Sequence, residues 1–171
     1  MRIRLLFYRV KIAKYKTYSN MSDTMEITKS PDPILKKRLR PVSAIDDSVR
    51  EIISKMRQTM LEANGVGLAA NQIGLDLQIF VISKELADES NAPDAYINPV
   101  LVNTSPEQDE MEEGCLSLPD YWTSVKRSKK VHIRALDEDG NKIKLRARGF
   151  LARVFQHEYD HLCGIMIKDR E

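Results

Sequence analysis

Apolar positions along the chain fall into two helical stripes and several strand-like runs. Near the C-terminus Leu151, Val154, Phe155, Glu158 and Leu162 recur at i, i+3, i+4, i+7 and i+11, one face of a 3.6-residue period with a carboxylate in the apolar row. Upstream, Val49, Ile52, Ile53, Met56 and Met60 form a second stripe, which Asp46 or Asp47 can cap and Asn64-Gly65 can stop. Residues 78–83 and 96–102 read as strands, and the acidic residues 84–94 between them read as a solvated loop. Residues 125–136 and 142–147 flank Asp137-Glu138-Asp139-Gly140-Asn141, whose Asp-Gly pair marks a β-hairpin. His132 alternates with Val131 and Ile133 and reads as an ordinary strand residue on the opposite face. These elements predict an α+β fold, with antiparallel sheet packed around the C-terminal helix and the earlier helix covering another face.

The carboxylate in the C-terminal stripe changes the picture from packing to chemistry. In Gln156-His157-Glu158-Tyr159-Asp160-His161-Leu162 a helix places His157 and His161 one turn apart, able to grip one metal ion, with Glu158 beside them. Burial disfavours the charged form of Glu158 and moves its pKa toward the range useful for proton transfer. A catalytic zinc-type centre takes three protein ligands and keeps a fourth position for water, so a third ligand is needed. The extended pattern H-E-x-x-H-x-x-G-x-x-H is met through Gly164 but ends on Ile167 where its last histidine belongs, and little chain follows. The search therefore turns upstream. There Cys115, in a glycine-preceded turn within Glu112-Glu113-Gly114-Cys115-Leu116-Ser117-Leu118-Pro119, is either a thiolate ligand or a small buried residue. The small residues of Gly65-Val66-Gly67-Leu68-Ala69-Ala70-Asn71-Gln72 would let a backbone approach a ligand closely, or serve only as a helix cap and loop.

At 171 residues the chain suits one domain, and no apolar run approaches the roughly 18 residues of a membrane span. Cys115 and Cys163, without a secretory signal, point to thiols or metal ligands over a disulfide. Residues 1–24 carry Arg2, Arg4, Arg9, Lys11, Lys14 and Lys16 against Asp23 alone, a net charge of +5, while the remainder is mildly acidic at −3, which argues against general nucleic-acid binding, DNA included, by the domain itself. The boundary is thus expected at residue 25, with residues 1–24 a basic extension outside the core. That extension is an over-extended start ahead of Met21 or Met25, an organelle-targeting segment, or an arm for anionic surfaces. Cytoplasmic placement follows in the first case and an organelle matrix in the second; no membrane partner is expected.

Three segments taken in order, Gly65-Val66-Gly67-Leu68-Ala69-Ala70-Asn71-Gln72, Glu113-Gly114-Cys115-Leu116-Ser117 and Gln156-His157-Glu158-Tyr159-Asp160-His161-Leu162, resemble the three motifs of bacterial-type peptide deformylases. The resemblance runs from about Thr28 to Asp169. It implies a hydrolase that removes the formyl group from the N-formylmethionine of new polypeptides and releases formate. It further implies Cys115, His157 and His161 as metal ligands and Glu158 as general base and then acid. Oxyanion donors would be the Gln72 amide and the Leu116 backbone N–H, and the Gly67 backbone would bind the peptide. The implied metal is one divalent ion, Fe²⁺ first and Zn²⁺, Ni²⁺ or Co²⁺ as alternatives. Nascent formylmethionyl peptides are the implied partners, with transient ribosome contact an open option. The family often carries a further C-terminal helix linked to that contact, whereas this sequence stops soon after Ile167.

Two competing readings remain at this level. A zinc endopeptidase is disfavoured by Ile167, and a closed structural metal site would need Cys163 as a fourth ligand, awkwardly placed just beyond the helix.

Overall fold

The computed structural model describes residues 24–171, so the basic segment 1–23 lies outside the described residues. Helix α1 (Asp47–Glu62) starts where expected: the Asp46 carboxylate accepts the Val49 backbone N–H at 3.1 Å. It stops through Asn64, whose φ of 54° takes the left-handed position while the Gly65 N–H bonds back to Met60. Val49, Ile53, Met56 and Met60 are buried as the stripe requires.

Strand β1 (Gly67–Ala69) leads through a 3₁₀ turn (Ala70–Ile73) to β2 (Ile79–Ile82). The segment read as a solvated loop is instead a short helix, α2 (Lys84–Ser90). Ser83 caps it, Asn91 ends it in the left-handed region, and Leu86 and Ala87 are buried beneath an acidic exterior. Two apolar positions are too few to register as a stripe, and the charges hid them. Strand β3 (Ala95–Thr104) follows, then β4 (Gln108–Cys115), β5 (Leu118–Ser128), β6 (Lys130–Leu136), β7 (Lys142–Arg148) and α3 (Gly149–Leu162).

The strands form two antiparallel sheets, one ordered β1-β2-β3-β6-β7 and the other a β4-β5 ribbon. The β6-β7 hairpin turns at Asp137–Asn141 as expected. The single run read over 125–136 divides at Lys129: its first part belongs to β5 in the ribbon and its second to β6 in the larger sheet. Strand β4 carried no alternating apolar signal, because Asp109, Glu110, Glu112 and Glu113 fill half of it.

Helix α3 lies against the five-stranded sheet with Leu151, Val154, Phe155, Glu158 and Leu162 all buried. Phe155 packs edge-on to Tyr96 at 4.8 Å between ring centroids, and Tyr96 stacks on Phe80 at the same distance, fixing the depth of the helix. The N-terminal arm threads the remaining gap. Asn98 uses both ends of its amide on the Val42 backbone at 2.8 Å, and Leu39 N–H bonds to Leu162 C=O at 2.9 Å, just past the histidine pair. Here Gly164 must be glycine: its φ is +75° and a Cβ would fall 2.4 Å from the Lys36 carbonyl oxygen.

Candidate metal centre and active site

Three pieces of backbone converge on one point. Helix α3 brings His157 and His161 with ring centroids 5.0 Å apart. The β4-β5 ribbon brings Cys115, which is the last residue of β4; the turn itself is Leu116-Ser117. The ligand atoms of Cys115, His157 and His161 lie within 4.8 Å of one another, with Cys115 Sγ 3.2 Å from His161 Nε2. All three residues are buried. Among the described residues this is the one such cluster, and Cys163 is outside it.

Burial by itself would raise the Cys115 thiol, but the charge of His161 and hydrogen bonds from both imidazoles outweigh it and hold the thiol well below its ordinary range. The donor set is therefore a thiolate and two imidazoles, a borderline-soft trio suited to a divalent transition metal. A second fit comes from Glu158. Its Oε2 is buried without a protein partner, and burial pushes the carboxyl up to about 7. An unpartnered acid beside a three-donor cluster is poised to serve water at that cluster.

Strand β1 and the following 3₁₀ turn supply the facing wall. Gly67 lies so close to Glu158 that a Cβ would sit 2.2 Å from Oε1. Gln72 is held by its own amide oxygen, which accepts the Ala69 N–H at 2.9 Å, and this turns Nε2 toward Cys115 Sγ at 3.5 Å and Ser117 Oγ at 3.4 Å. Gly65, Val66, Gly67, Gln72, Leu116 and Val154 line a narrow cleft leading to Cys115, His157 and Glu158. The structure thus gathers Gly67, Gln72, Cys115, Leu116, His157, Glu158 and His161 at one site. His132 lies elsewhere, on β6 opposite Asn103 and Arg146.

Behind the site is an ionic network that the apolar patterning did not reveal. Glu113, fully buried, accepts His157 Nδ1–H at 2.9 Å, both ends of the Arg127 guanidinium at 2.9 Å, and Arg153 at 2.7 Å. Burial would raise Glu113, but His157 and Arg127 overcome it and hold the carboxylate far below its usual range. Arg127 also bonds to Asp160, which Arg170 clamps from the other side. Glu113 therefore favours the His157 tautomer that leaves Nε2 free to accept a metal ion. No sequence signal marked it: Arg153 falls off the apolar stripe of α3 and reads as a solvated residue, yet it is buried.

A family model described as polypeptide deformylase matches residues 24–171. The chain belongs to the polypeptide deformylase family. The peptide deformylase of Thermotoga sp. (strain RQ2) is 42% identical over 139 residues, covering 81% of this chain and 82% of that protein. The crystal structure of peptide deformylase from Thermotoga maritima superposes with a TM-score of 0.80 at 39% identity, over 86% of this chain and 97% of that one. A Met-Ala-Ser-bound class I type b peptide deformylase from Acinetobacter baumannii gives 0.78 at 33% identity, over 86% and 98%. As a deformylase the protein is a hydrolase that removes the formyl group from the N-terminal formylmethionine of newly made polypeptides. Deformylases are metalloenzymes, and the Cys/His/His cluster supplies a donor set to match.

Proposed function

We propose that Cys115, His157 and His161 hold the metal of this deformylase, that Fe²⁺ is its working ion, and that Glu158, Gln72, Leu116 and Gly67 carry out the remaining tasks. The observation carrying this reading is the convergence of three ligand atoms within 4.8 Å beside a buried, unpartnered carboxylate oxygen. A divalent ion, when bound, supplies Lewis acidity and acidifies water.

The chain does the rest. Glu158 takes the proton from water as the water oxygen adds to the formyl carbon. The oxyanion that develops is met by Gln72 Nε2–H and the Leu116 backbone N–H, both fixed beforehand. As the C–N bond breaks, Glu158 passes its proton to the amine, so that formate and a free N-terminus leave. Strand β1 is the outer strand of its sheet, so the Gly67 backbone can pair with an extended peptide. The Acinetobacter baumannii relative, whose structure is bound to Met-Ala-Ser, supports a peptide as the ligand. The narrow cleft suits formyl, the smallest acyl group, and a methyl in place of its hydrogen would crowd Gly67 and Glu158.

Gln72→Ala should lower kcat more than it raises KM, because the donor acts on charge present only in the transition state; one such donor is worth about 3–4 kcal/mol. A pure KM effect in steady-state kinetics would instead make Gln72 a ground-state binding residue.

A thiolate with two imidazoles accepts iron, cobalt, nickel or zinc, and affinity order alone favours zinc over iron, so the ferrous choice follows the family. Measuring metal content and formate release on one anaerobically purified sample tests it. The iron form should be the most active and should decay in air as metal and thiolate oxidise, while nickel or cobalt should give air-stable activity. Zinc protein that equals the iron form anaerobically would overturn the ferrous assignment and leave deformylation standing.

The domain boundary is proposed at residue 25. Met25 N–H bonds to Thr59 Oγ1 at 2.9 Å and Thr28 N–H to Gln72 C=O at 2.8 Å, so the chain is tied to α1 and the site from there on. A protein starting at Met21 should deformylate as well as the full chain, and loss of soluble active protein would place residues 1–20 within the fold. No helix of the described residues is long and apolar enough to cross a membrane. The cytoplasm is the proposed location, and the organelle alternative rests on residues 1–20.

A further inference from the structure

The two proposed oxyanion donors come from separate pieces of chain. Gln72 lies in the 3₁₀ turn Ala70–Ile73, and Leu116 in the turn between β4 and β5. Among the described residues the direct hydrogen bonds between these pieces run from Gln72 Nε2 to Ser117 Oγ at 3.4 Å and to Cys115 Sγ at 3.5 Å. The first is long for an amide and a hydroxyl. Both are made by the same amide that has to aim at the oxyanion, so turning Nε2 toward substrate weakens them just when the spacing of the two donors matters most.

A third segment bridges the gap without using that amide. Thr28 N–H donates to the Gln72 carbonyl at 2.8 Å, Lys29 Nζ to the Leu116 carbonyl at 2.6 Å, and Ser30 N–H to the Ser117 carbonyl at 3.0 Å. Three consecutive residues thus hold the backbone carbonyls of both donor residues. The segment is anchored on either side. Ahead of it Met25 N–H bonds to Thr59 Oγ1 of α1 at 2.9 Å; beyond it Leu35, in a 3₁₀ turn (Pro33–Lys36), is buried and Lys36 pairs with Asp169. Lys168 Nζ adds a bond to Ser30 Oγ at 3.2 Å.

The two backbone bonds would suffice to fasten the N-terminal arm to the fold. The bond from Lys29 depends on its side chain, which is exposed and which water could solvate instead. The carbonyl it holds belongs to the Leu116–Ser117 peptide unit, which shares the Leu116 Cα with the unit that carries the donor N–H, so fixing one limits the rotation of the other. A residue's own nitrogen and carbonyl oxygen are at most about 3.6 Å apart, which puts the ammonium no more than roughly 6 Å from the Leu116 nitrogen. At that range its charge also favours negative charge developing beside the Leu116 N–H.

We propose that Thr28-Lys29-Ser30 is a strap that fixes the spacing of the two oxyanion donors, with Lys29 as its positioning residue. The proposal rests on Gln72 and Leu116 being those donors. Nothing in the sequence marked Lys29, a single lysine ahead of the turn-forming Ser30-Pro31-Asp32-Pro33.

Steady-state kinetics of the full chain on a formylmethionyl peptide, at matched metal content, tests it. Lys29→Met keeps the aliphatic length without the donor. It should lower kcat about 3- to 10-fold, the worth of one such hydrogen bond, while KM moves less than about twofold. Lys29→Arg can donate to the same carbonyl with the same charge and should restore kcat to within about twofold. Metal content and denaturant midpoint should match the parent in both variants, because the bond is exposed. Lys144→Met, on the edge strand β7 at the far end of the sheet from β1, should leave both constants unchanged. Gln72→Ala measured in the same series separates the two questions. If it lowers kcat and Lys29→Met does not, the strap is overturned and the donors stand; if it changes KM alone, the donor assignment falls and the strap with it. An equal loss in Lys29→Arg, a change in Lys29→Met confined to KM, or a lowered midpoint or metal content in Lys29→Met would each overturn the positioning role.

Discussion

Glu158→Gln protein is expected to bind its metal, unfold at the same denaturant midpoint, and lose about 10²- to 10⁴-fold in kcat, the usual range for a general acid–base group. The amide has the shape of the carboxylate, so the contact with Gly67 survives. It cannot accept a proton from water, and burial leaves no room for bulk solvent to do so instead. Because Glu158 Oε2 has no protein partner, the substitution breaks no ion pair, and its effect is confined to chemistry. Formate release within a few-fold of the parent, from protein with full metal content, would remove Glu158 from the proton path.

The second large effect is at Glu113. Glu113→Ala should destabilise the fold by about 3–5 kcal/mol, because Arg127 and Arg153 would be left buried without their counter-charge. Glu113→Gln, which keeps the volume and one of the two acceptor oxygens, should cost less in stability. It should still weaken metal binding by about 10- to 100-fold, since the His157 Nδ1–H loses its anionic acceptor. Denaturant unfolding and a metal-competition titration on the same two variants separate these effects. An unchanged midpoint in the alanine variant would mean that Asp160 and Asp109 neutralise the arginines without Glu113.

Helix α3 was legible in the sequence because it satisfies two periodicities at once: its apolar row repeats at 3.6 residues, and its histidines are one turn apart. Helix α1 was legible for the same reason, with Asp46 marking its start. Cys115, by contrast, has no local signal that separates ligand from buried thiol. Its role depends on a ribbon that joins it to α3 only in three dimensions, and the resemblance to deformylases supplied it. The ribbon was hard to read because half of β4 is acidic. Its burial of Glu113 is offset by arginines 14 and 40 residues away, pairings that no local pattern contains. Helix α2 was missed through its charge, and the break at Lys129 because both halves of the run are good strand formers.

The two halves of the proposed ligand set come from different substructures, Cys115 from the β4-β5 ribbon and His157 from the far side of three further strands. An ion held by both would close a loop spanning β5, β6, β7 and half of α3, much as a covalent cross-link would. Closing so long a loop narrows the unfolded ensemble more than it alters the native one. The metal would then be a folding constraint as well as a reagent, and proteolytic nicking between Ser117 and Gly149 would leave the two fragments tethered for as long as it stayed bound.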